Sequence, residues 1–158
     1  MAGKNYSKAD VLTEIMLEVF RVNGQLLDKG DRLVAPLNLT SARWQVLGAV
    51  SLAGKPLTAP QIAEAMGITR QGVQKQLIKL EAEGFLGQLQ NPRHERSPLY
   101  VLSEKGIRAT AKTSALNEVW AAGLASGIAI TDLKNTLHTL KKIYELLDTP
   151  VPTRGVKT

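Results

Sequence analysis

Between Thr69 and Arg96 the chain spaces its Arg, Gln and Lys residues in a way that suits an anionic, hydrogen-bonding partner. Thr69, Arg70, Gln71, Gln74, Lys75 and Lys79 fall away from Val73, Leu77 and Leu80, whose i, i+4, i+7 recurrence marks one face of a helix. Arg can bond guanine bidentately and Gln can bond adenine, while Lys and a helix N-terminus suit phosphates. Further on, Arg93, His94 and Arg96 crowd a turn-rich stretch, NPRHERSP. Formal net charge is +6 and pI about 9.7, which favours an anionic partner without naming one.

Catalytic and metal chemistries find little to work with. Lys55 after Gly54 is reminiscent of a phosphate-binding loop, but Gly48 stands one residue too far upstream and Pro56 occupies the place of the magnesium-binding Ser or Thr. His94 and His138 have no Cys or His companions at ligand spacing, so no metal site is expected. Zero cysteines exclude disulfides, thiolate ligation and peroxide sensing through sulfur. No carboxylate pair, nucleophile elbow or dinucleotide motif is present. The expectation is no catalytic residue, no cofactor and no enzyme.

The elements that must position the basic residues are two short helices. Thr58 is the N-cap of the first, with Pro60 in its first turn and Gln61 closing a capping box; Leu57 and Ile62 form a hydrophobic staple. Gly67 ends it in the left-handed conformation that a helix C-terminus favours. Thr69 caps the second helix, stapled by Ile68 and Val73. Gly72 inside it costs about 1 kcal/mol relative to Ala, for which close approach to DNA and close packing on Ala63 or Ala65 are the two available reasons. Phe85–Gln90 then reads as a strand, 91–98 as a charged turn and Leu99–Leu102 as the returning strand. A helix-turn-helix followed by such a hairpin is the winged-helix arrangement, with Arg93 and Arg96 placed for a minor groove or the backbone.

Here the residues resemble a known family. Leu80-Glu81-Ala82-Glu83-Gly84, His94-Glu95-Arg96 and Leu102-Ser103-Glu104-Lys105-Gly106 are similar to the Leu-Glu-x-x-Gly, Asp-x-Arg and Leu-Thr-x-x-Gly signatures of the MarR family, bacterial regulators named for multiple antibiotic resistance. The similarity runs from about Ala9 to Leu147. His94 stands where the family more often has the Asp that orients the wing Arg, and Gln88 where many relatives carry Arg. The resemblance implies a dimeric transcription regulator, most often a repressor, that binds double-stranded DNA. It also implies a crevice for small phenolic or aromatic anions, for which Arg21, Arg43, Trp44 and Trp120 are the candidate lining residues, Arg for a carboxylate and Trp for stacking. Core packing of the two Trp and solvation of the two Arg are the competing readings.

The remaining chain is helical. Lys8 to about Val34 carries a broad apolar stripe that includes Val11, Leu12, Met16, Val19 and Phe20, and Ala35-Pro36 stops it. Leu39-Thr40 starts a second helix with Trp44 as staple partner. Leu102-Ser103 caps a long helix after the hairpin, with Ile107 as its staple. Gly127 breaks it, and Thr131 is expected to cap the last helix, in which Leu133, Leu137, Leu140, Tyr144 and Leu147 follow a near-heptad spacing.

The expected class is mainly α with a small β-hairpin wing, a winged helix-turn-helix core flanked by long dimerisation helices. A chain of 158 residues is read as one domain, with 1–36 and 103–148 as dimerisation helices, 37–102 as the DNA-binding core and 149–158 as a loose tail. MAGKNYSKAD has no apolar signal segment and no stretch is long enough to span a bilayer, so a cytoplasmic location without membrane contact is expected. The partners expected are double-stranded DNA, a second copy in a homodimer and a possible small-molecule effector. Two rivals remain open on sequence: a winged helix used to dock an acidic protein, and a nonspecific architectural DNA binder.

Overall fold

The structure is a computed structural model that describes residues 6–150. Its elements in order are α1 (Lys8–Val34), a 3-10 turn (Ala35–Leu37), α2 (Ser41–Ala53), α3 (Ala59–Met66), α4 (Arg70–Ala82), β1 (Leu86–Leu89), β2 (Leu99–Leu102), α5 (Glu104–Ala125) and α6 (Ile130–Leu147). The expected fold class stands: mainly helical, with one antiparallel hairpin. The chain divides into two compact units, Met1–Asn117 and Glu118–Thr158. Most of the expected loose tail lies outside the described residues.

The helix starts follow from local chemistry. Ser7 caps α1 through a reciprocal box with Asp10, and the Ser7 hydroxyl and N–H together hold the Asp10 carboxyl below the usual carboxylate range. Thr58 and Gln61 form the expected box on α3, and the Thr69 hydroxyl oxygen accepts from the N–H of Gly72 at 3.0 Å. Thr40 caps α2 as expected. A second device there was not legible: the Ser41 N–H donates to the Asp31 carboxylate of α1 at 2.6 Å, and the Ser41 hydroxyl donates to the Leu27 carbonyl at 2.8 Å. A Cβ on Gly30 would stand 2.5 Å from that hydroxyl, so a glycine lets α1 and α2 meet.

α6 departs from expectation. It begins two residues earlier, after Ala129, which offers no side-chain cap, and Thr131 lies inside the first turn. Asp132 in that turn supplies the favourable negative charge instead.

The core of the first unit gathers Val34 from the end of α1, Val46 and Leu47 from α2, Ile62 from α3, and Val73, Leu77 and Leu80 from α4. Phe85, Leu86 and Tyr100 close it from the hairpin. β1 pairs with β2 in the register Leu86↔Leu102 to Leu89↔Leu99. Leu57, just before α3, adds a single bridge to Tyr100 with both backbone bonds made, at 3.2 and 2.7 Å. The hairpin is thus fastened to the start of the helix-turn-helix.

Outside that core the apolar side chains lack cover. Along α1, Val11, Leu12, Met16, Val19, Phe20 and Leu26 are exposed, and only Gly30 and Val34 are buried. In the second unit α6 has no buried residue, and Leu137, Leu140, Tyr144 and Leu147 are all exposed.

Candidate nucleic-acid interface

α4 is held by its apolar face and presents the opposite one. Val73, Leu77 and Leu80 are fully buried, whereas Thr69, Arg70, Gln71, Gln74, Lys75 and Lys79 are all exposed. Among the described residues none of Arg70, Lys75 and Lys79 has an acidic partner within ion-pair distance. Their charges stay available to an external anion. Ile78 also lies outward, 58% exposed between Gln74 and Lys79, a position the sequence reading left unassigned. An exposed apolar group on this face can meet a thymine methyl.

Gly72 does not pack on α3. A Cβ there would meet only the Thr69 hydroxyl oxygen, at 3.1 Å, so close packing on Ala63 or Ala65 is not the reason for the glycine. Burial pushes the Tyr100 phenol up and the charge of Glu81 adds to this, while the Gln74 side chain acts in the opposite sense.

The C-terminus of α4 is closed by Gly84, whose φ of +73° is the left-handed conformation a non-glycine residue rarely adopts. Gly84 N–H donates to the Glu81 carbonyl and Phe85 N–H to the Leu80 carbonyl, both at 2.8 Å, a Schellman pair sealed by the buried Leu80 and Phe85. This explains why β1 begins at Leu86 and not at Phe85: the Phe85 N–H is already spent on the helix. The Phe85 carbonyl accepts from the Ser103 N–H at 3.0 Å. Ser103 caps α5 by accepting from Gly106 N–H at 3.0 Å and donates its hydroxyl to Gly84, whose carbonyl oxygen lies 2.7 Å away. Lys105 donates to the Glu83 carbonyl at 2.6 Å with its ammonium 4.1 Å from the Phe85 ring centre. The Leu-Ser-Glu-Lys-Gly motif is therefore a clamp on the end of α4.

Asn91 braces the wing tip, and sequence reasoning took it only as a turn residue. Its amide donates to the Ser97 carbonyl at 2.8 Å across the loop, and its side-chain oxygen accepts from Arg93 N–H at 3.0 Å. The bond to Arg93 is an Asx-turn, a signal readable in the dipeptide Asn91-Pro92, whereas the bond across to Ser97 is not. Arg93, His94 and Arg96 are all exposed at this tip, and no acidic side chain pairs with either Arg among the described residues.

The candidate effector residues do not gather. Arg21 is exposed on α1 and pairs with Glu18. The Arg43 guanidinium reaches both carboxylate oxygens of Glu83, at 2.7 and 2.6 Å, tying α2 to the end of α4. Its charge is committed to that pair. Trp44 is half-buried against the core, close to Gly30, and Trp120 is half-buried in the second unit.

The MarR family's sequence model matches residues 37–97, the stretch from the end of the 3-10 turn to the wing tip. An uncharacterised protein of Mycobacterium tuberculosis is 33% identical over 144 residues, which cover 91% of this chain and 99% of that protein. The transcriptional activatory protein BadR of Rhodopseudomonas palustris is 24% identical over 146 residues, covering 88% of this chain and 81% of BadR. The fold matches that of the transcriptional regulator MOSR of M. tuberculosis, solved in complex with DNA, with a TM-score of 0.69 at 20% identity, covering 85% of this chain and 98% of MOSR. Family model, sequence motifs and fold agree, and the chain belongs to the MarR family of winged-helix transcription regulators.

Proposed function

We propose that this regulator binds a pseudo-palindromic operator as a homodimer, with α4 in the major groove and the wing on the adjacent minor groove or backbone. The observation that carries the reading is the unneutralised polar face of α4 beside an equally unneutralised wing, both fastened to one core. Arg70, Gln71 and Gln74 address base edges, Thr69, Lys75 and Lys79 address phosphates or bases, and Arg93, His94 and Arg96 hold the wing to DNA. Residues 37–102 form the DNA-binding core. The helices of 1–36 and 103–148 form the dimer interface, for which the uncovered apolar side chains of α1 and α6 are the support. MOSR, of the same fold, is solved on DNA.

The regulator works in the cytoplasm, acts as a repressor as the family most often does, and is released by a small aromatic or anionic ligand. With Arg43 held by Glu83, ligand capture through that residue first breaks an ion pair reaching from α2 to the end of α4. Such a ligand would act on α4 through its support. BadR is an activatory protein, so transcription from the bound promoter is what reads the sign in this chain.

The test separates the two kinds of contact. Arg96→Ala weakens binding to every duplex and lowers the slope of log affinity against log salt by about one. Gln74→Ala costs about 1–3 kcal/mol at one base position and changes the preferred base there. Titrations of both variants against specific and random duplexes decide it, and equal losses by both variants on both duplexes contradict the assigned roles.

A further inference from the structure

Among the described residues the ion pairs of Arg21, Lys29, Arg32 and Arg108 each stay within one helix. That of Arg43 with Glu83 alone joins two elements, across 40 positions of sequence. It is also the most sheltered: the Arg43 side chain is 17% exposed, against 67% for that of Arg108. Neither member suits its own helix. Arg43 lies in the first turn of α2, where a cation faces the unpaired N–H groups, and Glu83 is the C-cap of α4, where a carboxylate faces the unpaired carbonyls. Local helix chemistry thus accounts for neither residue, and the pairing across the two helices accounts for both.

The tie grips the end of α4 remote from Arg70, Gln71 and Gln74. Val73, Leu77 and Leu80 hold the helix by apolar burial, which is non-directional and specifies tilt weakly. One Arg43 nitrogen bonding both Glu83 carboxylate oxygens is directional. α4 has 13 residues and is therefore roughly 20 Å long. A pivot of about 10° at its C-terminus carries its N-terminus about 3 Å, the full length of a hydrogen bond to a base edge. Lysines on phosphates follow such a shift with their flexible stems.

We propose that Arg43 and Glu83 are positioning residues that set the tilt of α4, so that their ion pair supports discrimination between DNA sequences without adding to general affinity for DNA. This rests on the reading above in which α4 addresses base edges. The pair touches no base itself.

The experiment uses full-length wild type, Arg43→Ala, Glu83→Gln, Arg43→Glu and the double variant Arg43→Glu with Glu83→Arg. Each is titrated against a duplex that the wild type selects from random DNA and against a random duplex, over a range of salt, with thermal melts to check folding. Glu83→Gln keeps the size of the side chain and removes its charge, so it tests the pair with little disturbance. Arg43→Ala and Glu83→Gln should each lower the ratio of selected to random affinity by about tenfold, while random-duplex affinity stays within about twofold and the salt slope is unchanged. Arg43→Glu should lose at least as much. The double variant, with both charges now at the favourable ends of their helices, should restore the ratio to within about threefold of wild type.

A wild-type ratio in both Arg43→Ala and Glu83→Gln overturns the proposal. So do losses equal on the two duplexes, which mark a pair that only stabilises the fold, and a double variant no better than Arg43→Glu. A salt slope lowered by about one in Arg43→Ala makes Arg43 a phosphate contact instead and overturns it too. In all these cases base reading by α4 stands. A wild type without sequence preference removes that reading, and the positioning role with it.

Discussion

Phe20→Asp should split the proposed homodimer of 17.1 kDa chains into monomers and abolish operator binding. Phe20 is 70% exposed on α1, so it contributes almost nothing to the monomer's core and its replacement leaves the winged helix intact. In a two-fold dimer the same patch is used twice, so one substitution places two carboxylates in one interface. Each loses the burial of a large apolar side chain, about 1.5–3 kcal/mol, and adds the cost of desolvating a charge. The dissociation constant of the dimer should therefore rise by at least about a hundredfold, since each 1.4 kcal/mol is tenfold. DNA affinity should fall with it, because two half-sites held together engage far more tightly than one. Sedimentation and an operator titration check both. A wild-type monomer, or a Phe20→Asp variant that stays dimeric, contradicts the use of α1 as the interface.

Gly106→Ala carries the largest expected effect on stability. A Cβ at Gly106 would stand 2.2 Å from the Phe85 carbonyl oxygen and 3.2 Å from Leu102 Cδ2. The oxygen is backbone, fixed by its bond from Ser103, so it cannot swing aside as a long side chain would. Either α5 lifts off the root of the wing or the closure of α4 at Gly84 and Phe85 gives way. Overpacking of this kind typically costs about 1–3 kcal/mol, and contact with backbone places it at the upper end or beyond. At about 2–4 °C for each kcal/mol in a chain of this size, the melting temperature should drop by roughly 6–12 °C. Gly123→Ala in the same helix is the control. Nothing lies within 4 Å of a Cβ there, and the better helix propensity of Ala should hold or raise the melt. Equal melts for the two variants contradict the close approach at Gly106.

The legible parts of the fold were those fixed by neighbours in sequence. Thr40, Thr58, Thr69 and Ser103 each precede a helix and each caps it, because a hydroxyl followed by an apolar staple is a local device. The face of α4 was equally readable, since burial of Val73, Leu77 and Leu80 follows from their spacing alone. Thr131 misled because the same residue type serves inside a first turn as well as before it. Contacts across long sequence separations left no local trace: Leu57 pairing with Tyr100, Arg43 reaching Glu83, and Asp31 meeting Ser41. The wing was half legible. Its basic residues announced the tip, but Asn91 as the brace required knowing that Ser97 returns beside it.

Departures from the family pattern read differently once the site is built. His94 replaces the Asp expected to orient a wing Arg, yet the tip is ordered by Asn91, which bonds backbone on both sides of it. The loop's shape is thus independent of the side chain at 94.

The most direct test of a sequence-specific dimeric regulator is a selection of bound duplexes from random DNA with purified protein at about 150 mM salt, close to physiological ionic strength. A two-fold-symmetric motif with half-site centres about ten base pairs apart is the predicted result. Duplexes retained without any common sequence would contradict it in favour of an architectural binder, and no retained duplex would leave the basic faces to an acidic protein partner.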